Sequence, residues 1–201
     1  MVRFVAFRAE IDTSKCVKCG LCWSICPTEA ISWKPGSFPE INYELCLGCG
    51  ACYERCPRYA VTLKRLPEPR IVKVDVSKVD YNKVKEICKN AGFHPEQIIC
   101  FCTGTRAKEV AAAILLGAKT PEEISRMTGV RTGCKVECIQ PVLRLLKAAG
   151  IEPKPKPKRH AWYGMCPTVF EVPKEVREKY RARGFYFDED ESLLRKVIAR
   201  V

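Results

Sequence analysis

Fourteen cysteines stand in this 201-residue chain, and most of them fall into tight groups. Two groups share one spacing: Cys16, Cys19, Cys22, Cys26-Pro27 and Cys46, Cys49, Cys52, Cys56-Pro57. Three cysteines at such intervals wrap a loop around one face of a cubane iron–sulfur cluster. The fourth, ahead of proline, starts the next turn too far away for the same cluster and ligates the other one. A zinc ribbon needs two C-x2-C pairs rather than a three-plus-one run followed by proline. Gly20, Gly48 and Gly50 let the backbone approach sulfur closely and donate N–H groups to it. A third group pairs Cys100 and Cys102 with Cys134 and Cys138 further on. One pair precedes a helical run and the other opens one, so the positive ends of two helix dipoles face a dianionic cluster. For this group zinc and a different iron–sulfur cluster stay open.

The chain that positions these thiols is 47% apolar and 29% charged, which fits a folded protein and excludes global disorder. No apolar run is long enough to span a bilayer, and the N-terminal residues 1–12 lack the apolar core of a signal peptide. A cytoplasmic location follows as an expectation, and there the thiols serve metal rather than disulfides. The formal charge of +12 counts every cysteine as neutral. Three oxidised clusters on twelve thiolates lower it to about +6, still basic.

Residues 9–34 and 39–64 form an internal repeat with ten identities in 26 positions and no gap. Two units are too few for a solenoid. Pro67-Glu68-Pro69 then breaks the pattern and marks a boundary. Helical periodicity follows over residues 79–91, 106–116 and 135–149. Thr120-Pro121-Glu122-Glu123 is a helix start: an N-cap threonine, proline in the first turn and glutamate three residues on. The run Pro153–Arg159 predicts an extended, polyproline-like strap. The tail predicts helices over 173–183 and 189–199, and is too small for its own core.

The first 66 residues resemble the bacterial-type two-cluster ferredoxins, in both cysteine runs and in the apolar strands flanking them, residues 4–11 and 60–63. The resemblance implies Cys16, Cys19, Cys22 and Cys56 on one [4Fe-4S] cluster, and Cys46, Cys49, Cys52 and Cys26 on the other. The third group resembles the small helical [2Fe-2S] domain of bacterioferritin-associated ferredoxin. The C-x-C pair, the Thr-Pro-Glu-Glu-Ile turn and Thr132-Gly133-Cys134 carry that likeness, which implies Cys100, Cys102, Cys134 and Cys138 on a [2Fe-2S] cluster. One departure stands out: the family closes with C-x2-C, and here the spacing is C-x3-C. An extra residue on a helix turns the last thiolate by about 100°.

The expected fold class is α+β: a ferredoxin-like two-cluster domain with short β-hairpins over residues 1–66, a linker at 67–79 and an all-α [2Fe-2S] domain at 80–150. A Pro/Lys strap at 151–160 leads to an extended helical, partner-docking tail at 161–201. Gly48-Cys49-Gly50 starts no nucleotide fingerprint, and no P-loop or H-E-x-x-H is present. His94 and His160 read as surface or capping residues. Trp23, Trp33 and Tyr53 read as a shielding core, and Cys88 as a buried thiol. Cys166-Pro167 repeats the cysteine-before-proline device without a run beside it. No nucleic-acid fold accompanies the basic strap.

Three cluster sites in so short a chain leave little room for a substrate pocket. The reading is therefore a non-catalytic electron-transfer subunit, with two-electron chemistry on another polypeptide. The combined resemblance, over residues 1–150, is to the iron–sulfur small subunit of archaeal FAD-dependent dehydrogenases of the dye-linked proline or glycerol-3-phosphate type. It implies a flavoprotein partner in a heteromeric complex. A free ferredoxin-type carrier and an iron–sulfur or metal delivery module are the alternatives.

Overall fold

The computed structural model describes residues 2–134, 137–156 and 164–198. The repeat appears in it as two copies of one local design. Strand β1 (Arg3–Ile11) leads to a cysteine loop, the short helix α1 (Leu21–Ile25) and strand β2 (Ile31–Ser32). Strand β3 (Glu40–Ile41), helix α2 (Ala51–Arg55) and strand β4 (Val61–Val72) follow in the same order. The pairs exchange across the repeats: β1 runs antiparallel to β4, with Ile11 opposite Val61, and β2 to β3, with Ile31 opposite Ile41. Each pair is one hairpin-like ribbon, and together they bury Ala9, Ala30, Ile31 and Val61 among the cysteines.

Local chemistry repeats as faithfully as the strands. The Asp12 and Asn42 side chains each accept a backbone N–H two residues on, from Ser14 and Glu44, both at 3.0 Å. Gly20 and Gly50 stand in the left-handed region at φ 74° and 76° and open the two helices. Gly20 has a second constraint, because a Cβ there would come within 2.8 Å of the Trp33 ring.

The structure differs from the sequence reading at Pro67-Glu68-Pro69. The strand does not break there: β4 continues to Val72. The register jumps from Phe7 opposite Arg65 to Val5 opposite Arg70, so both prolines sit in a bulge, where no ladder N–H is asked of them. The strand beyond the bulge has a task. Arg70 donates to the backbone carbonyls of Glu44 at 2.5 Å and Cys46 at 2.6 Å, pinning the start of the second cysteine loop. Val74, Val76 and Val79 then pack against the next unit's core, so the segment expected to link the two units is shared by both.

That next unit is built on α3 (Tyr81–Asn90), α4 (Ala107–Leu115), α5 (Pro121–Thr128) and α6 (Ile139–Ala148). Its core includes Val84, Cys88, Val110, Ile124, Val142 and Leu145. Thr120 caps α5 as its sequence predicts: its hydroxyl accepts the Glu123 N–H at 3.2 Å, and the Glu123 carboxylate accepts the Thr120 N–H at 3.1 Å. The unit is not all helix. Strands β5 (Ile98–Cys100) and β6 (Thr105–Arg106) form a small hairpin whose turn carries Cys102. β-branched Ile98 and Ile99 favour strand, and Gly104 at φ 64° closes the turn.

The tail holds α7 (Lys174–Arg181) and α8 (Phe187–Ile198), close to the predicted spans. Part of the strap, together with His160, Trp162 and Tyr163, lies outside the described residues. Among the described residues no helix is long and apolar enough to cross a membrane.

Candidate metal centres

Each cysteine run folds the same way around its sulfurs. The residue closing each short helix, Cys26 or Cys56, is extended, and its sulfur accepts the N–H of the residue four further on, Ala30 or Ala60, at 3.3 Å in both cases. Cys16 Sγ accepts the Lys18 N–H at 3.5 Å. Such N–H groups stabilise sulfur as thiolate.

The sulfurs then gather around two cavities. One, with an empty volume of about 360 Å³, is lined by Cys16, Cys19, Cys22 and Cys56. The other, about 330 Å³, is lined by Cys26, Cys46, Cys49 and Cys52. Each thus takes three cysteines from one repeat and the proline-flanked fourth from the other. The cavities differ in depth. Around the second, Cys26, Cys46 and Cys52 are buried, while around the first Cys19 is exposed and Cys16 and Cys56 are half-buried.

The donor chemistry fits a cationic inorganic core. Burial pushes the Cys22 thiol up to about 11, and burial together with the neighbouring thiols pushes Cys52 higher still. Four adjacent thiolates in such a setting need positive charge between them. Among the described residues no three Cys, His, Asp or Glu side chains converge tightly enough for a single metal ion.

Gly48 shapes the second cavity. It stands at φ 59°, and a Cβ there would lie 2.1 Å from the Phe7 carbonyl oxygen, a backbone atom that cannot step aside. Gly36, at φ 82°, has nothing within 4 Å of its would-be Cβ. Gly48→Ala is expected to destabilise the protein by more than about 2 kcal/mol, and Gly36→Ala by about 1 kcal/mol from backbone strain alone. Anaerobic thermal unfolding of both variants checks the difference; equal shifts would mean that the β1 backbone yields.

The third group also assembles. Cys138 is buried and donates its thiol proton to Cys100, so Cys100 is held down to about 5 while Cys138 is pushed up. Thr103 and the Arg131 backbone N–H donate to Cys100 as well. On the outer side Cys102 and Cys134 are exposed, and the Cys134 N–H points at Cys102 Sγ at 3.4 Å. Gly133 permits this closeness: a Cβ there would meet Cys102 Cβ at 2.2 Å.

The last cysteine of the C-x3-C pair stands at the head of α6, which runs from Ile139, and not within it. Cys138 is its N-cap and Cys134 lies in the preceding bend, with residues 135–136 outside the described set. The sequence reading had this pair opening the helix from within.

Sequence reasoning missed Arg131. Its backbone is left-handed at φ 68°, aiming the N–H at the two inner sulfurs, and its side chain is buried against the Glu122 carboxylate at 3.1 Å. No motif marks an arginine in such a place; only its position between Gly129 and Cys134 hints at it. The other expectations divide. His94 caps a turn, its Nδ1 accepting the Glu96 N–H at 3.2 Å. Cys88 is fully buried, and burial lifts its thiol to about 11. Trp23 and Trp33 pack together with centroids 5.7 Å apart. Tyr53 is exposed and shields nothing, since α2 turns it outward. Cys166 is exposed and tied to α6 through its backbone, by Gln140 and Arg144, both at 2.8 Å.

Comparison with known proteins finds two iron–sulfur domains along the chain. Residues 9–63 match the family model of a 4Fe-4S dicluster domain, and residues 98–148 that of a BFD-like [2Fe-2S] binding domain. The chain is thus an iron–sulfur protein with two [4Fe-4S] clusters and one [2Fe-2S] cluster. Among curated proteins it is similar to the ketoisovalerate oxidoreductase subunit VorD of Pyrococcus abyssi and of Pyrococcus horikoshii, each 50% identical over 38 residues. The Pyrococcus furiosus VorD is 44% identical over the same length. These matches cover 19% of this chain and 36% of each relative.

Proposed function

We propose that the chain is the electron-transfer subunit of a heteromeric cytoplasmic oxidoreductase, relaying single electrons between a flavin-containing dehydrogenase subunit and an acceptor. Cys16, Cys19, Cys22 and Cys56 hold one [4Fe-4S] cluster, and Cys46, Cys49, Cys52 and Cys26 the other. Cys100, Cys102, Cys134 and Cys138 hold the [2Fe-2S] cluster. The observation that carries this reading is the division of eight cysteines between two cavities, each drawing on both repeats.

When bound, such clusters supply one-electron chemistry. The chain's own part is to hold the sulfurs as thiolates with backbone N–H groups, to bury one set and to leave another near the surface. The two-cluster unit extends through β4 to Val72, with the helical unit at 80–150 and the tail at 161–201. The second unit's likeness to the helical [2Fe-2S] domain supports the flavoprotein parent, of the dye-linked proline or glycerol-3-phosphate type. The VorD relatives, named as subunits of an oxidoreductase, support the subunit role.

Two measurements test this. Protein purified anaerobically should carry about ten irons per chain, with low-temperature EPR of reduced cubanes beside a slower-relaxing [2Fe-2S] signal. Zinc in equal ratio with protein, beside only eight irons or about that number, would remove the [2Fe-2S] assignment. A tagged copy expressed in its native cells should elute with a flavin-containing polypeptide in fixed ratio. Elution of the loaded chain alone would favour the free carrier, and ready loss of the third cluster to an apo acceptor would favour delivery.

A further inference from the structure

We infer that the turn Cys56-Pro57-Arg58-Tyr59 is the port at which this protein docks an acidic one-electron carrier protein. The inference rests on the electron-transfer reading above and names the partner of one of its sites.

The internal repeat supplies the comparison. Cys26-Pro27-Thr28-Glu29 and Cys56-Pro57-Arg58-Tyr59 have one backbone shape. Each begins at an extended cysteine whose sulfur accepts an N–H at 3.3 Å, and each ends left-handed, Glu29 at φ 53° and Tyr59 at φ 51°. What lies outside them is opposite. The first turn is covered by the chain's own helical unit. Arg126 of α5 donates from Nε to the Thr28 carbonyl at 2.6 Å and from Nη2 to the Glu29 carboxylate at 3.2 Å. Lys156 reaches the same carboxylate, and Arg3 lies against Gly129 at the end of α5. Thr28 is only 2% exposed.

Among the described residues, the second turn has no such cover. Pro57 and Arg58 are exposed, and Tyr59 is 78% exposed. Its chemistry is also inverted. Where the first turn offers a carboxylate to two cations, the second offers a guanidinium and a phenol, which call for carboxylates and a flat surface. Arginine and tyrosine are the residue types that anchor protein interfaces.

The surroundings agree. The cavity beneath this turn is lined by Arg58 and Pro57 and by Val17 and Cys19, both exposed. Lys18, between these two, sets its ammonium 4.3 Å from the Phe38 ring, beside Pro39 of the same cavity wall. The shallower cysteine set thus opens beneath cations and an aromatic ring, on a chain that stays basic, at about +6, once its twelve ligand thiolates hold three clusters. Charge of one sign at such a rim speeds encounter with an oppositely charged partner, and salt screens it.

The test uses the full-length, cluster-loaded protein and flavodoxin, an acidic carrier of single electrons. Affinity is read by calorimetry with both proteins oxidised at low salt. The rate is read by stopped flow after reduction of the iron–sulfur protein, and is divided by its rate with a small neutral quinone that needs no docking. The double change Arg58→Glu with Tyr59→Ala should weaken flavodoxin affinity and lower the normalised rate at least about ten-fold, and should flatten the salt dependence. Lys89→Glu on the exposed side of α3, the same charge change elsewhere, should alter either by less than about two-fold.

An unchanged affinity and rate in the double variant would overturn the port, as would a larger loss from Phe101→Ala, which removes the exposed ring between Cys100 and Cys102. A wild-type protein that reduces the quinone but neither binds nor reduces flavodoxin would overturn the acidic partner. A wild-type protein that reduces neither would overturn the electron-transfer reading itself.

Discussion

Cys26→Ser in the full-length protein should lower the iron content from about ten to about six or seven per chain, and the iron lost is that held by the other repeat. The reason is geometric. Cys26 closes α1, within its own repeat, yet its sulfur faces the cavity lined by Cys46, Cys49 and Cys52. Double variants separate this from ordinary ligation. Cys26→Ser with Cys49→Ser damages one cavity twice and should lose no more iron than either change alone. Cys26→Ser with Cys19→Ser damages both cavities and should leave only about two to four irons. Iron analysis of anaerobically purified protein decides the matter. The reverse pattern, with Cys26 and Cys19 redundant, would mean that each repeat holds its own cluster and that the crossed arrangement is wrong.

That pattern was legible because it is written in spacing. A thiol every third residue followed by a pre-proline thiol leaves few geometries open, and the thirty-residue offset between the runs states the pseudo-symmetry that the ribbons β1–β4 and β2–β3 then realise. Thr120 was equally readable, since a capping box is a local device. The parts that were not readable depend on what lies across the fold. Prolines at 67 and 69 look like a stop until β1 supplies a partner and the bulge between Val5 and Phe7 absorbs them. Tyr53 looks like a shield until α2 is placed and turns it outward.

Arg126, 98 residues from Thr28, meets it only because α5 lies over the first repeat. The contrast between Thr28-Glu29 and Arg58-Tyr59 was equally hidden. Aligning the repeats for identity highlights the positions that agree, whereas these disagree, and only the docked helical unit shows why one turn became polar and covered while the other stayed basic and bare.

Deleting residues 173–201 should leave all three clusters in place and abolish co-purification with the proposed flavoprotein partner. The cut belongs after Val172 because the tail has two parts. Residues 164–171 are tied to α6: Gln140 Nε2 donates to the Gly164 carbonyl at 2.9 Å, Arg144 holds the Cys166 carbonyl at 2.8 Å, and Arg144 pairs with Glu171 at 3.7 Å. A cut before them would disturb α6, whose N-cap is Cys138.

Beyond Val172, α7 and α8 are joined to each other through Arg177, paired with Asp188 at 2.8 Å and Glu191 at 2.7 Å. They are joined back to residues 169–172 through Arg177, donating to the Val169 and Val172 carbonyls at 2.5 and 2.9 Å, and through Arg195 over the Phe170 ring. Neither helix buries a residue among those described, while Val176, Phe185, Tyr186, Leu193, Leu194 and Val197 stand exposed. So many apolar side chains on two short helices and the turn between them exceed what a monomer ordinarily leaves in water, and a partner subunit is the surface that would cover them. Iron content and visible absorption of the truncated protein should match the full chain, with flavin absent from its pull-down. Loss of the [2Fe-2S] signal would instead join α7 and α8 to the helical unit. A truncated chain that keeps both its clusters and its flavoprotein would show that α7 and α8 dock nothing.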